Sequence, residues 1–552
     1  MMNERVMTLA AACLLPTLVA AFVPLSCKRQ TLYYQLNTLS QPSHLSMIKD
    51  NDNNDWTSDF DDFSIDDADD SFEISKIFAD RVTPADLSAC QSRQFSLGQD
   101  LVLSDYVGNM GFDEVTDWEY YYPSEDDPTD RQVVQPNPFD SSKPKRTRTS
   151  SGSVVRLFRG EFIGQLGGAL SAQALDRRIL VKEFTGTLAL QLAKSELESV
   201  GKLQSDLLAS SNDEDAKKGD WLRAASSRSV MARQDNTNIA QLIKQLGQTP
   251  FLGILGEVNL AELDGNLEPN EFYRALGVPP PKQGAVWVVY EYAGLTTLGG
   301  YAQPAEVRRA SLTPKKGFFG NAVKPPPVPA WSARANYLVK GIMKQAIIGV
   351  ATLHESGIVH RSIGRNSIIL SSKAMDKREA VSLYATLTSQ LVVKLADFGF
   401  AGWYKDSTAN EEFCSRARTF DLYFRKGDNT IATTNFAIAE DMHALGFVFL
   451  GLLLSSLAQV PTAQYPLPAT DEDTLQRLLG EIFGKDVKGE FRDYVEAEEI
   501  WSGVVELLDE NDGAGWTVLE TLVLAREKAA KNKYTSQMFT IRGLLSNPFF
   551  NN

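Results

Sequence analysis

At 552 residues, with 43% hydrophobic and 10% aromatic content, the chain can bury at least one large core. Its formal charge of −15 gives no ground for nucleic-acid binding. The acidity is local, because residues 50–73 hold ten Asp, one Glu and no Lys or Arg, which leaves −4 for the rest.

Residues 1–21 place an apolar stretch after Arg5 that ends in small residues, Val19-Ala20-Ala21, and a cleavable signal peptide is expected there. Residues 22–49 begin Phe22-Val23-Pro24 and contain no Asp or Glu, a transit-peptide composition. Together they resemble the bipartite plastid-targeting leader of algae with secondary plastids. That resemblance implies a plastid location, and plain secretion is the alternative. Cys13 and Cys27 lie in this leader, leaving Cys90 and Cys414, too few for a disulfide framework.

Residues 50–73 intersperse Asp with Trp56, Phe60, Phe63 and Phe72, a composition too charged to collapse alone, and disorder is expected. Residues 74–150 regain apolar content without recognisable chemistry, and end in the basic linker Lys143–Ser151. From Val154 to Phe184 the pattern predicts strands, and Leu188–Leu203 has helical spacing. Phe251–Val258 and Ala285–Tyr292 read as two further strands. Leu338, Ile342, Ala346, Gly349 and Leu353 then mark a long amphipathic helix.

Residues 204–238, 262–284, 311–330 and 371–390 read as surface insertions. These insertions and the acidic segment are the candidate contacts for protein partners. Ala444–Leu457 is nearly all apolar, but its fourteen residues fall short of the ~20 that cross a bilayer. A buried helix is expected there, and no transmembrane helix in the mature chain.

His360-Arg361-Ser362-Ile363-Gly364-Arg365-Asn366-Ser367, followed by Asp397-Phe398-Gly399, resembles the two signature segments of the eukaryotic protein kinase superfamily. Val181-Lys182 at a strand end, Tyr290-Glu291-Tyr292-Ala293-Gly294, Asp441-Met-His-Ala-Leu-Gly446 and Leu544–Phe550 follow that family's order. The resemblance covers about Val154 to Phe550 and implies an α+β, two-lobed kinase-like fold. Residues 151–294 would form a small, mainly antiparallel β N-lobe with one main helix. Residues 295–552 would form a larger, mainly helical C-lobe.

The resemblance also implies a nucleotide site for ATP and Mg²⁺. Lys182 is expected to grip phosphates, Asp397 to ligate the metal, and Glu291 and Ala293 to hold adenine through their backbone. Gly160 and Gly164 are the expected phosphate-loop glycines, although the spacing departs from Gly-x-Gly-x-x-Gly. Glu196 is the favoured ion-pair partner of Lys182; Ile239–Phe251, which has no Glu in the corresponding slot, is the competing helix.

Ser362 stands where the family has its catalytic Asp, Gly364 replaces a Lys, and Ser367 replaces the metal-binding Asn, with Asn366 one position early. The Ala-Pro-Glu that closes the activation segment is absent before Asp441. A serine hydroxyl is a far weaker proton acceptor than a carboxylate, and losing a general base costs ~10²–10⁴-fold in rate. The expected function is therefore a nucleotide-binding pseudokinase acting as scaffold or regulator. An active Ser/Thr kinase or other ATP-dependent transferase, and a nucleotide-free interaction protein, are the alternatives.

Overall fold

The computed structural model describes residues 94–115, 148–163, 177–210, 249–258, 285–301, 331–372, 391–459 and 470–550, with short strand segments between them. The signal, transit and acidic segments, Gly164, and most of the expected insertions lie outside the described residues.

A six-stranded sheet forms the first part. Its strands are β1 (Gln94–Phe95), β2 (Leu101–Val115), β3 (Arg148–Phe162), β4 (Arg178–Thr185), β5 (Ile254–Val258) and β6 (Val286–Glu291). The order across the sheet is β1-β5-β6-β4-β3-β2. Every pairing is antiparallel except β1 on β5.

Alternation along β4 explains how the sheet is used. Leu180 and Phe184 join the large core, while Ile179 and Val181 belong to a second cluster with Phe158, Trp287 and Val289. Both faces are therefore dry. Lys182, in register with Leu180 and Phe184, points to the same side as the large core.

That face is covered by α1 (Thr187–Ser210), which packs Leu188, Leu192 and Val200 into the core. The longer α-helices that follow among the described residues are α2 (Lys340–Glu355), α3 (Glu411–Arg418), α4 (Ile431–Ser456), α5 (Glu472–Arg477), α6 (Glu490–Ala497), α7 (Ser502–Val523) and α8 (Ala525–Lys531). Between α2 and α3 lie β7 (Ile358–Val359), β8 (Ile368–Ser372), β9 (Leu391–Leu395) and β10 (Gly402–Trp403). β7 pairs with β10 and β8 with β9, both antiparallel. The whole is a mixed arrangement of sheet and helices compatible with a kinase-like fold.

Thr430 starts α4 through a capping box with Thr433. α4 is long and apolar enough to cross a membrane, yet 83% of its most apolar window is buried inside the protein. It is the helix on which the rest of this region packs, chiefly α7 and α8. α7 is broken by three consecutive left-handed residues, Asn511, Asp512 and Gly513.

Two sequence expectations change. The sheet begins well before residue 151, because β2 lies within residues 74–150 and pairs along the length of β3. Gly160 lies inside β3, two residues before its end, paired with Leu103 on one side and Ile179 on the other. A Cβ there would sit 2.5 Å from the Val102 carbonyl oxygen, so its glycine serves close strand packing, not a phosphate-binding turn. The hairpin whose second strand leads into the Lys182 strand is β2–β3, one hairpin earlier than the glycine spacing suggested.

Candidate functional site

Lys182 is the centre of the site. Its ammonium lies 2.8 Å from Glu196 Oε1 on α1 and 2.9 Å from Asp397 Oδ1 after β9. Burial works against its charge, but the two carboxylates hold its pKa above the ordinary lysine value. Burial raises Glu196 in turn, opposed by Lys182. The choice of partner for Lys182 is thereby made by geometry: Glu196 reaches it because α1 begins two residues after β4 ends.

Asp397 adopts a left-handed conformation, φ 62°, which turns the chain into Phe398-Gly399. Phe398 is buried against Phe251 and the His360 ring. A side chain on Gly399 would crowd Leu192 of α1 at 3.0 Å, so sheet helix and Asp397 are held in close register. Asp397 Oδ2 makes no hydrogen bond among the described residues, and Asp397 lines a cavity of about 420 Å³ with Lys182, Glu196, Ser362 and Ser367.

The loop between β7 and β8 is anchored from below. Asp441 on α4 accepts from the His360 and Arg361 backbone amides at 2.7 and 2.8 Å, and lies 3.0 Å from His354 Nε2. Burial would raise the Asp441 pKa, but the His354 contact and the amides hold it below the usual carboxylate range. Arg361 takes φ 64°, and its guanidinium donates to the Trp403 carbonyl and the Ser407 hydroxyl.

Ser362 lies between two cavities, lining both the 420 Å³ space and a second of about 460 Å³ bounded by α1, α3 and α4. No carboxylate stands in its position. Ser367 turns inward: its hydroxyl accepts from Gly364 N at 3.0 Å and donates to Gly364 O at 2.9 Å. Asn366 Oδ1 accepts from the Thr297 hydroxyl at 3.3 Å, on the side facing Gly299. Both residues line the cavity with Asp397, with these oxygens already engaged inside the protein.

Glu291 uses its side chain inside the protein. Its carboxylate lies 2.6 Å from Lys394 Nζ and accepts from Gly253 N at 3.0 Å, and its own amide donates to Gly253 O. Through these side-chain and amide contacts it braces β6 against β9. Ala293 follows in the extended turn before Gly294, and its backbone groups have no hydrogen-bond partner among the described residues.

Sequence reading missed the opposite wall. Arg365 donates to Glu472 on α5 from Nε, at 3.0 Å to each oxygen, and from Nη2 at 2.7 Å. This clamp brings Glu472, Asp473 and Gln476 to the cavity. Nothing local announces a pair 107 residues apart. The cavity wall thus sets the two cations Lys182 and Arg365 against the four carboxylates of Glu196, Asp397, Glu472 and Asp473.

No protein-family model matches the chain. It is similar to cell division control protein 2 homolog D of Antirrhinum majus, 27% identical over 181 residues, 32% of this chain and 45% of that protein. It is also similar to cyclin-dependent kinase C-2 C of Arabidopsis thaliana, 26% identical over 116 residues, 21% of this chain and 15% of the relative. Cyclin-dependent kinase E-1 of Arabidopsis thaliana is 24% identical over 148 residues, 26% and 28% of the two chains. The matches span less than half the length of these relatives. They support a protein-kinase-like relationship.

Proposed function

We propose that the chain is a two-lobed, kinase-like nucleotide-binding protein that acts as a scaffold or regulator and transfers phosphate poorly or not at all. The observation that carries this reading is one arrangement: Lys182 held between Glu196 and Asp397 beside a loop with Ser362 in place of a base. Lys182 supplies a fixed cation for phosphate oxygens. Asp397 Oδ2, which makes no hydrogen bond among the described residues, is suited to a divalent cation.

The donor set supplies Asp397 as the carboxylate for one Mg²⁺, while Ser367 and Asn366, which line the same cavity, each already hold a hydrogen bond inside the protein. When bound, Mg²⁺ supplies positive charge that offsets the phosphates. That charge is needed here, since the cavity's own cations are outnumbered by its carboxylates. Ser362 neither takes a proton at neutral pH nor carries charge to orient an attacking hydroxyl.

The leader at residues 1–49 supports a plastid location, which a fluorescent fusion of those residues tests in algal cells. The central test is thermal shift of the full chain with ATP, with and without Mg²⁺, followed by transfer of γ-phosphate to a generic protein substrate. A Mg²⁺-ATP shift without transfer is the expected result. Transfer that disappears in Asp397→Ala supports an active kinase instead, and no shift at all overturns nucleotide binding.

A further inference from the structure

Away from the cavity, the helical region carries a dense basic face. Lys528 and Lys531 on α8 lie near Lys488, just before α6. Burial and those two neighbouring ammonium groups hold Lys528 below its usual value, with Glu520 opposing. Two carboxylates are paired into this cluster among the described residues, Glu520 to Lys488 at 3.2 Å and Glu527 to Lys485 at 2.5 Å.

The same face presents aromatic and apolar side chains on fixed backbone. Tyr534 is 90% exposed, with the Lys533 ammonium 5.5 Å from its ring centre. Met538 nearby is 47% exposed. The stretch carrying them is tied to α4, since Asn435 donates to Gln537 O at 2.9 Å and accepts from Phe539 N at 2.8 Å. Lys485 lies 5.5 Å from the Phe420 ring centre and so joins this face to residues 418–426, where Tyr423 is 75% exposed beside exposed Arg425 and Lys426.

Exposed aromatics set among cations that outnumber the carboxylates paired with them suit an acidic segment that itself carries aromatics, with charge steering the encounter and rings providing the contact area. The chain contains such a segment. Residues 50–73 carry ten Asp and one Glu, no Lys or Arg, and Trp56, Phe60, Phe63 and Phe72. They lie outside the described residues, 21 positions before Gln94. At ~3.3–3.6 Å per residue that connection reaches up to ~70 Å.

We propose that residues 50–73 dock in cis on the basic face formed by α8, the turn before α6, and residues 418–426. The docked segment covers Tyr423 and Tyr534 and places its carboxylates against Lys528, Lys531 and Lys533. Any protein partner using this face then competes with the chain's own acidic segment.

Zero-length carbodiimide coupling of the full chain, with peptide mapping, tests this. Expected are intrachain amide cross-links from residues 50–73 concentrated on Lys528, Lys531 and Lys533, falling several-fold in 0.5 M salt, where screening shortens to ~4 Å. Tyr534→Ala with Met538→Ala, which leaves every amine in place at exposed positions, is expected to lower their yield several-fold at low salt. Cross-links spread over all exposed lysines, yields unmoved by the double variant, or cross-links only between two copies each overturn the proposal. The outcome is independent of nucleotide binding.

Discussion

Lys182 and Asp397, 215 residues apart in sequence, meet at 2.9 Å, with Glu196 closing the other side of the ammonium at 2.8 Å. The contact joins the sheet to the strand pair below it. It also leaves Asp397 Oδ2 without a hydrogen bond among the described residues, beside a fixed cation on the cavity wall.

Asp397→Asn preserves the shape of this contact but removes the charge. ATP binding in the parent is expected to require Mg²⁺, because the cavity wall is already acidic. The variant is expected to lose about tenfold or more in Mg²⁺-ATP affinity, ~1.4 kcal/mol or more, measured by calorimetry. ATP binding equally well in chelator would defeat this view of the site.

Replacing Ser362 alone should not restore a kinase. Ser362→Asp returns a proton acceptor worth ~10²–10⁴-fold, yet Ser367 remains folded back onto Gly364. The double variant Ser362→Asp with Ser367→Asn is expected to transfer γ-phosphate at least tenfold faster than Ser362→Asp alone. A parent chain already as fast as the double variant would show that the serines are no impairment.

Much of this site could be read from residues because its parts are local. Lys182 and Glu196 are separated by a strand end and fewer than three turns of helix, and Asp397-Phe-Gly has a fixed motif. Gly160 misled for the opposite reason. Its place between Leu103 and Ile179 is set by sheet register, and β2 finds β3 across more than thirty residues. The side-chain pairing of Glu291 was not legible at all, because its carboxylate meets Lys394, a non-local bond with no sequence signature.

That brace is expected to matter for stability more than for ligand. Glu291→Ala leaves the Lys394 ammonium, 2% exposed, without its carboxylate. Breaking one side of a buried ion pair costs ~3–5 kcal/mol. Chemical denaturation should show a loss of that order, with Glu291→Gln losing less because its amide oxygen still accepts from Lys394. A change under 1 kcal/mol in the alanine variant would mean that Phe251 O and Thr249 suffice for Lys394.

Acid sensitivity should centre on His443. Burial on α4, aided by the Arg526 charge, pushes its pKa from 6.5 to about 4, while its Nδ1 meets the Val523 carbonyl at 2.6 Å. Between those values the unfolded chain binds more protons, so the contribution is complete above pH 6.5 and is lost as pH falls toward 4. The slope is about 1.4 kcal/mol per pH unit for one such group. His360, also lowered by burial, acts in the same direction. His443→Asn is therefore expected to flatten the stability profile between pH 6.5 and 4 without abolishing it; an unchanged slope would exclude His443 as its source.

The Arg365–Glu472 clamp fixes α5 as a wall of the cavity. Its side chains are 35% and 26% exposed, so screening holds the gain to ~1 kcal/mol or less despite the double contact. Arg365→Ala should leave global stability nearly unchanged while residues 470–477 exchange amide hydrogens up to about fivefold faster, the local equivalent of that energy. Glu472→Gln should do the same to a smaller extent, since one oxygen still accepts. Equal exchange in parent and Arg365→Ala would show that Asp471, which caps α5 by accepting from Thr474 N, and the packing of Leu475 hold the wall without the clamp.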